Sequence, residues 1–501
     1  MNKNTVIYLL AGVIALFAVS CNDSSDDEEF VYTKSSSVAV NSFSLESDTK
    51  VLYNLDSVHF TIDLDKRLIY NADSLPVGTK VTKLITKMTF PVVSSITLTV
   101  KDGEVMKNES LNYSEHEKDS IDFTGDVKLL VVSEDMKSSA EYSIKVNVHK
   151  MKPDSMYWNQ MARRDLPSYT PPVNQKTVKF KDNLYCLVKE ANQYLVSSVR
   201  NPSAAKWNLN KVAFGFEPQV GSFTAGAESM FILDKGGALY KSVNGTEWTP
   251  AGVSFYSLVG EYEGVLYGVV NDGGVYKHDA YPRPAGYVPQ ELSREFPISG
   301  FSQTIMVENK WQTSKQMLFM GGVDRFGHKS GATWGFDGEN WAKVSNREIP
   351  GATGMTLFPY YNFSVSNSWI TTRYDVLIAA GGNNENGEAV KKVYVSYDNG
   401  VNWKLGDDLL QFPDYIPAFS FAQAFVLDSE LTSRSADSWE YFPSKELPVW
   451  NWVVSAPATR SGETAWTCPY IYLFGGANGQ GELYNNIWKG VINRLSFKPL
   501  Y

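Results

Sequence analysis

The chain has little of what would mark a metalloenzyme, a disulfide scaffold or a nucleic-acid binder. Cysteine occurs 3 times and histidine 5 times in 501 residues. The histidines (His59, His116, His149, His278, His328) are dispersed, without the spacing of a ligand set, so neither a metal nor a cofactor is expected. No long basic run appears and the net charge is −9, which argues against a nucleic-acid partner bound by phosphate neutralisation. Helical amphipathic patterns are scarce. Neither G-x-S-x-G nor a paired-cysteine motif occurs. What remains is a chain that is 43% hydrophobic and 13% aromatic, ample for a large core. Its short apolar runs are broken by Gly, Asn, Asp and Pro, which reads as all-β.

The first segment is a targeting signal. Lys3 precedes "VIYLLAGVIALFAV" (Val6 to Val19), which is too short for a comfortable membrane span. "AVSC" then places Cys21 after small residues, and this resembles a bacterial lipobox in which the cysteine is lipidated. Residues 1–21 are the expected signal. An acidic tether, 22–32, follows, containing "NDSSDDEEF" (Asn22 to Phe30). The acidic run is similar to the export signal that sends Bacteroidota-type lipoproteins to the outer face of the outer membrane. The expected location is therefore an outer membrane held through a lipid anchor, surface-exposed or else periplasm-facing. With Cys21 acylated, Cys186 and Cys468 remain, as an exported disulfide or as two buried thiols.

Residues 33–150 alternate polar and apolar at period two, in "SVHFTIDL" (Ser57 to Leu64), "SSITLTVKDG" (Ser94 to Gly103), "VKLLVVSED" (Val127 to Asp135) and "AEYSIKVNVHK" (Ala140 to Lys150). This predicts an N-terminal β-sandwich, immunoglobulin-like or cadherin-like. "MKPDS" (Met151 to Ser155) is the expected hinge. Beyond it the texture changes: all 13 tryptophans lie from Trp158 onward.

Residues 155–501 repeat. "WQTSKQMLFMGG", "WITTRYDVLIAAGG" and "WTCPYIYLFGG" each join a Trp (Trp311, Trp369, Trp466), an apolar strand and a Gly-Gly pair ending at Gly322, Gly382 and Gly476. Twelve residues later comes an aromatic: Trp334, Tyr394 or Trp488. Weaker copies lie upstream in "SMFILDKGGALYKSVNGTEW", "VLYGVVNDGGVYKHD" and "NLYCLVKEANQYLVSSVRNPSAAKW". Six copies of a strand-rich unit, each roughly 40 to 60 residues, predict a six-bladed β-propeller. "YWNQMARRDLP" near Trp158 echoes the end of a fourth strand, so the segment there is expected to complete the C-terminal blade and remove an exposed edge.

In "YVSYDNGVNWKL" a tight turn precedes the largest apolar side chain. Asp and Gly suit the turn, and the ring is expected to wedge against a neighbouring blade. Ser396, Asp398, Gly400 and Trp403 resemble the Asp-box, or BNR repeat, of sialidase-like propellers. Asp337, Gly338 and Trp341 look like a shortened version, as do Asn244, Gly245 and Trp248. The Gly-Gly pairs followed by an aromatic resemble kelch repeats. The whole layout is similar to a Bacteroidota surface-lipoprotein family of unassigned function.

These motifs specify a scaffold and leave the activity open. A sialidase-like hydrolase needs an arginine triad, a Tyr–Glu pair and an acid Asp; the Arg motif early in such propellers is absent, and "RRDLP" and "YPRPAG" do not fit it. A kelch-type sugar epimerase and a purely structural scaffold are further alternatives. The favoured expectation is a non-enzymatic binding module for a glycan or protein ligand, acting through propeller loops. Two insertions stand out, "DAYPRPAGYVPQELSREFP" (Asp279 to Pro297) and the stretch Asp428 to Trp466. The second holds Trp439, Tyr441, Trp450 and Trp452, as stacking surfaces for a ligand or, if "VWNWVVSAP" is an innermost strand, as core.

Overall fold

The structure is a computed structural model describing residues 32–71, 74–148, 155–203, 207–308, 314–365, 371–432 and 465–492. Its contacts divide the chain into two units, meeting between Val148 and His149. Among the described residues there is no α-helix, only strands and short 3-10 turns.

The first unit is a two-sheet β-sandwich. One sheet pairs β1 (Ser42–Leu45) with β4 (Thr86–Thr89). The other holds β2 (Thr61–Asp63), β3 (Leu68–Tyr70), β5 (Val93–Lys101), β6 (Glu109–Asn112), β7 (Asp126–Ser133) and β8 (Ser139–Lys145), in the order β2-β3-β8-β7-β5-β6. The period-two reading works best where both strands are long: in β7, Val127, Leu129 and Val131 are buried and their neighbours are not. The stretch Ser57 to Leu64 forms only the three residues of β2, and its first residue, Ser57, ends a 3-10 turn, Leu55–Ser57.

The second unit is a propeller of six blades. Blade one runs β10 (Asn174–Phe180), β11 (Asn183–Lys189), β12 (Tyr194–Val199) and β13 (Asn208–Val212). Blade two is β14 (Thr224–Ala225), β15 (Met230–Leu233), β16 (Ala238–Ser242) and β17 (Thr249–Ser254). Blade three is β18 (Ser257–Tyr262), β19 (Val265–Asp272), β20 (Val275–Tyr281) and β21 (Gln290–Glu291). Blade four has a broken first strand, β22 (Ser299–Phe301) and β23 (Ile305–Glu308), both on β24 (Lys315–Val323), then β25 (Thr333–Phe336) and β26 (Trp341–Lys343). Blade five is β27 (Thr356–Val365), β28 (Thr371–Ala380), β29 (Val393–Ser396) and β30 (Lys404–Leu405).

Blade six closes the ring. β31 (Gln423–Thr432), β32 (Ala465–Phe474) and β33 (Ile487–Ile492) are followed outward by β9 (Met156–Trp158), taken from the start of the unit. Trp158 pairs with Gly490, and a side chain on Gly490 would run into the indole, at 2.6 Å. The seam leaves β33 no open edge. The innermost place in blade six belongs to Gln423–Thr432, and "VWNWVVSAP" lies outside the described residues.

Cys186 and Cys468 are both buried and unbonded to each other, in one apolar cluster of blades one and six. Burial pushes the Cys186 thiol up to about 12, leaving it a packing group.

Candidate functional site

The turns singled out in the sequence are structural joints. In blade five the Ser396 hydroxyl donates to Asp398 Oδ1 (2.8 Å) and accepts the Gly400 N–H (2.9 Å). Asp398 also accepts the Asn402 N–H at 2.9 Å and its side-chain amide at 2.8 Å. Burial pushes the Asp398 carboxyl up, but these hydrogen bonds more than offset it, and the group titrates below its ordinary value. Gly400 has φ +83°, and a Cβ there would meet Thr333 of blade four at 2.8 Å. Trp403 is 2% exposed, and its Nε1–H donates to Thr333 Oγ1 at 2.9 Å. The ring that follows the turn is therefore a wedge between blades four and five.

Blades four and two vary the device. Asp337 accepts the N–H groups of Glu339 and Asn340 (2.9 and 2.8 Å), Gly338 has φ +105°, and Trp341 stacks on Phe336 at 4.7 Å. Asn244 Oδ1 accepts from Thr246 and Glu247, Gly245 has φ +78°, and Trp248 Nε1–H donates to the Gly245 carbonyl at 3.0 Å. Ser242 does here what Ser396 does in blade five, donating to Asn244 and accepting the Gly245 N–H at 2.8 Å. The sequence reading passed over it because this turn is one residue shorter, although "SVNG" against "SYDNG" carries the signal. Blade four has Gly335 at that place and no hydroxyl.

Cys21, Trp439, Tyr441, Trp450 and Trp452 lie outside the described residues. The insertion from Asp279 folds back on blade three: Arg283 Nε–H donates to Asp279 Oδ1 at 2.8 Å, and Tyr287 sets its hydroxyl against His278. Among the described residues no group of His, Cys, Asp and Glu converges as a metal site.

Sequence reasoning missed the axial channel. The first strands of all six blades and the linkers before them enclose a cavity of about 710 Å³, within the range of roughly 300–1,000 Å³ usual for small-molecule sites. Amides and hydroxyls of Gln175, Thr177, Thr224, Ser257, Gln303 and Gln423 line it, together with aliphatic side chains such as Leu258, Val426 and Leu483. Gln303, in the break of blade four, donates to the carbonyls of Leu357 (3.1 Å) and Ala424 (2.8 Å) in blades five and six. Across the seam, Gln423 Oε1 accepts from Gln175 Nε2 (2.8 Å) and the Thr177 N–H (3.0 Å). Two exposed aromatics, Tyr256 and Phe421, line it from the blade linkers.

Phe421 is the unusual one. The entries to blades four, five and six share a left-handed residue: Gly300 within β22 (φ +67°), Gly354 (φ +67°) and Phe421 (φ +57°). They form a chain of backbone bonds, Gly354 N–H to Gly300 O at 2.6 Å and Phe421 N–H to Gly354 O at 2.7 Å. Glycine takes that conformation freely, whereas a bulky residue pays a steric penalty of about 1–2 kcal/mol. Blade six nevertheless places a phenyl ring there, 47% exposed, over Gly354. No signal in the sequence marks it; only the blade alignment "SGF", "TGM", "SFA" does, once the linkers are superimposed.

A β-sandwich followed by a ring of six antiparallel blades around a polar channel defines a two-domain propeller protein. The chain belongs to the DUF6242 family: residues 30–146 match its N-terminal domain, of unknown function, and residues 152–500 its beta propeller domain. No curated protein matches the sequence. Among solved structures, the chain is similar to YCF48 from Cyanidioschyzon merolae (12% identity, 65% of this chain and 98% of that one, TM-score 0.27). It is similar to a Trypanosoma rangeli sialidase (13% identity, 56% and 48%, TM-score 0.26). It is also similar to a protein of unknown function from Bacteroides thetaiotaomicron (10% identity, 75% and 73%, TM-score 0.19). At these TM-scores the likenesses carry no argument about activity.

Proposed function

We propose that this protein is a non-enzymatic binding module of the cell envelope, and that it takes a carbohydrate in the axial channel of its propeller. The observation that carries this reading is Phe421, an exposed aromatic held in a left-handed backbone conformation at a polar cavity, where its counterparts in blades four and five are glycine. Backbone strain of that kind clusters at functional sites. An aromatic face supplies the apolar side of a sugar ring, and amides and hydroxyls suit its edge. A hydrolase of the sialidase kind needs carboxylates and guanidinium groups gathered at the channel; the described lining offers amides, hydroxyls, aromatic and aliphatic side chains and lysine amines.

The kelch-like and Asp-box-like turns then act as the frame. We further propose that Cys21 carries a lipid and that the acidic stretch behind it directs the protein to the outer face of the outer membrane. Metabolic labelling with a fatty acid, lost in Cys21→Ser, and protease accessibility on intact cells check these two points.

The test of the site is a glycan array probed with the full chain and with Phe421→Gly. The variant restores the residue that blades four and five already use, so its melting temperature is expected to stay within a few degrees. Its binding is expected to fall at least tenfold. Undiminished binding by the variant rules out this site. Absence of any bound glycan rules out the carbohydrate reading and favours a protein ligand or a scaffold.

A further inference from the structure

The channel holds a charged group that the carbohydrate reading leaves unused. Lys176 lies in β10, the innermost strand of blade one, and lines the cavity. Its neighbours Gln175 and Thr177 are bonded to Gln423 of blade six. Alternation along the strand sends Lys176 toward the opposite side, where Val178 packs with Val220 and Phe223 near blade two. Lys176 has no hydrogen-bond or ion-pair partner among the described residues; burial alone acts on its ammonium and lowers it to about 8.

The setting favours an anion. On a chain of net charge −9, the described lining carries two charged side chains, Lys176 and Lys179, and both are positive. An ammonium walled by protein has lost part of its hydration without gaining a partner. A negative group arriving beside it replaces that hydration, and attracts it more strongly than in open water because the surroundings are less polar. Gln423 ties this ammonium to the aromatic face. Its carbonyl oxygen accepts from the Gln175 side-chain amide and the Thr177 N–H, on either side of Lys176, and its amide donates to the Phe421 carbonyl. Ring and charge are thus set on one rigid frame.

We propose that the channel's ligand is an acidic sugar, whose carboxylate or sulfate is held by Lys176 while its ring lies against Phe421. This rests on the carbohydrate reading and adds the charge of the ligand and the residue that reads it.

The experiment probes one glycan array in three forms with the full chain: untreated, with carboxylates methyl-esterified, and desulfated. One of the two treatments is expected to lower binding at least tenfold, which also names the acid. Lys176→Met should bind the untreated and neutralised forms alike, at the weak level of the latter. Lys176→Arg should keep the preference, and Lys179→Met should leave it unchanged. Binding to the untreated form should weaken as pH rises past about 8, where Lys176 loses its proton, and Lys176→Arg should remove that dependence. The arginine variant and the pH profile decide the matter even if the methionine variant fails to fold. Equal binding to all three forms, still dependent on Phe421, overturns the acidic-sugar inference and leaves the carbohydrate reading standing. Absence of binding to every form overturns both.

Discussion

Blades four to six and blade three use the same dipeptide for different purposes. In blades four, five and six the Gly-Gly pair ends the second strand, and both residues have positive φ (+71° and +100°, +72° and +106°, +57° and +90°). In blades four and five the pair presses against the next linker. Gly322 N–H donates to Ala352 O at 2.9 Å and Gly382 N–H to Phe419 O at 2.8 Å, so the backbones of successive blades are bonded directly. Gly475 lies under Gln175 of blade one, which uses its amide in place of a linker. In blade three, Gly273 and Gly274 sit at a hairpin tip with open space where a side chain would go. Blades one and two join through rings instead, with Phe214, Phe216, Tyr240 and Trp248 packed in one cluster. A repeated dipeptide therefore reports a shared turn preference, and only its surroundings decide whether it is a joint.

The largest expected effect follows from that contrast. A Cβ on Gly322 would lie 2.8 Å from Ser299 O and 3.1 Å from the Phe301 nitrogen, backbone atoms that cannot give way. Gly322→Ala is expected to destabilise the propeller by about 3 kcal/mol or more, from left-handed strain plus overpacking. Gly274→Ala should lose only the strain, about 1 kcal/mol. Urea unfolding of the two variants checks this, and equal losses would remove the distinction between joint and tip.

The tryptophans sharpen the comparison at the next level. Trp403 is 2% exposed and bonded across to blade four, whereas Trp248 is half-buried and bonded within its own turn. Trp403→Ala should cost about 3–5 kcal/mol and Trp248→Ala about half that. A larger loss at Trp248, in thermal or urea unfolding, would show that the aromatic cluster of blades one and two is the stronger joint.

The frame was legible in the sequence because it repeats. Period-two strands, Asx-Gly turns and the tryptophan after each turn recur often enough to predict six blades, and the echo near Trp158 predicts the ring's seam. The sandwich was legible where strands are long, as in β7, and less so around Ser57 to Leu64, where only Thr61–Asp63 is strand. The channel was not legible. Gln175 with Lys176, Gln303, and Phe421 with Gln423 come from three distant stretches of the chain and belong to no motif. Only closure of the ring brings them together. The sequence points instead to aromatic-rich insertions, because clustered tryptophans stand out and a single phenylalanine in a glycine's place does not.

Ser396→Ala and Ser242→Ala test whether blades two and five share one turn. Each removes a hydroxyl that donates to an Asx oxygen and accepts a glycine N–H. Each is expected to cost about 1 kcal/mol, with Ser396 the larger because its acceptor is charged. Identical losses in chemical denaturation would mean that the charge on Asp398 adds nothing.

The smallest effect separates these turns by pH. Asp398 in blade five and Asp337 in blade four both titrate below their ordinary value. In each, burial pushes the carboxyl up and hydrogen bonds to turn N–H groups more than offset it. A carboxylate whose folded pKa is depressed contributes stability that is fully present above its unfolded pKa of about 3.9, and that fades as pH falls through the folded value. Asn244, the counterpart in blade two, does not titrate. Asp398→Asn should therefore weaken the propeller near neutral pH, and the gap from the parent chain should close as the pH drops below about 4. Asn244→Asp should open the reverse gap, gaining stability near neutral pH if its new carboxylate accepts the same Thr246 and Glu247 N–H groups. Melting temperatures taken at a series of pH values decide it: a gap for Asp398→Asn that stays constant down to pH 3 would assign its cost to shape and leave charge no part in the turn.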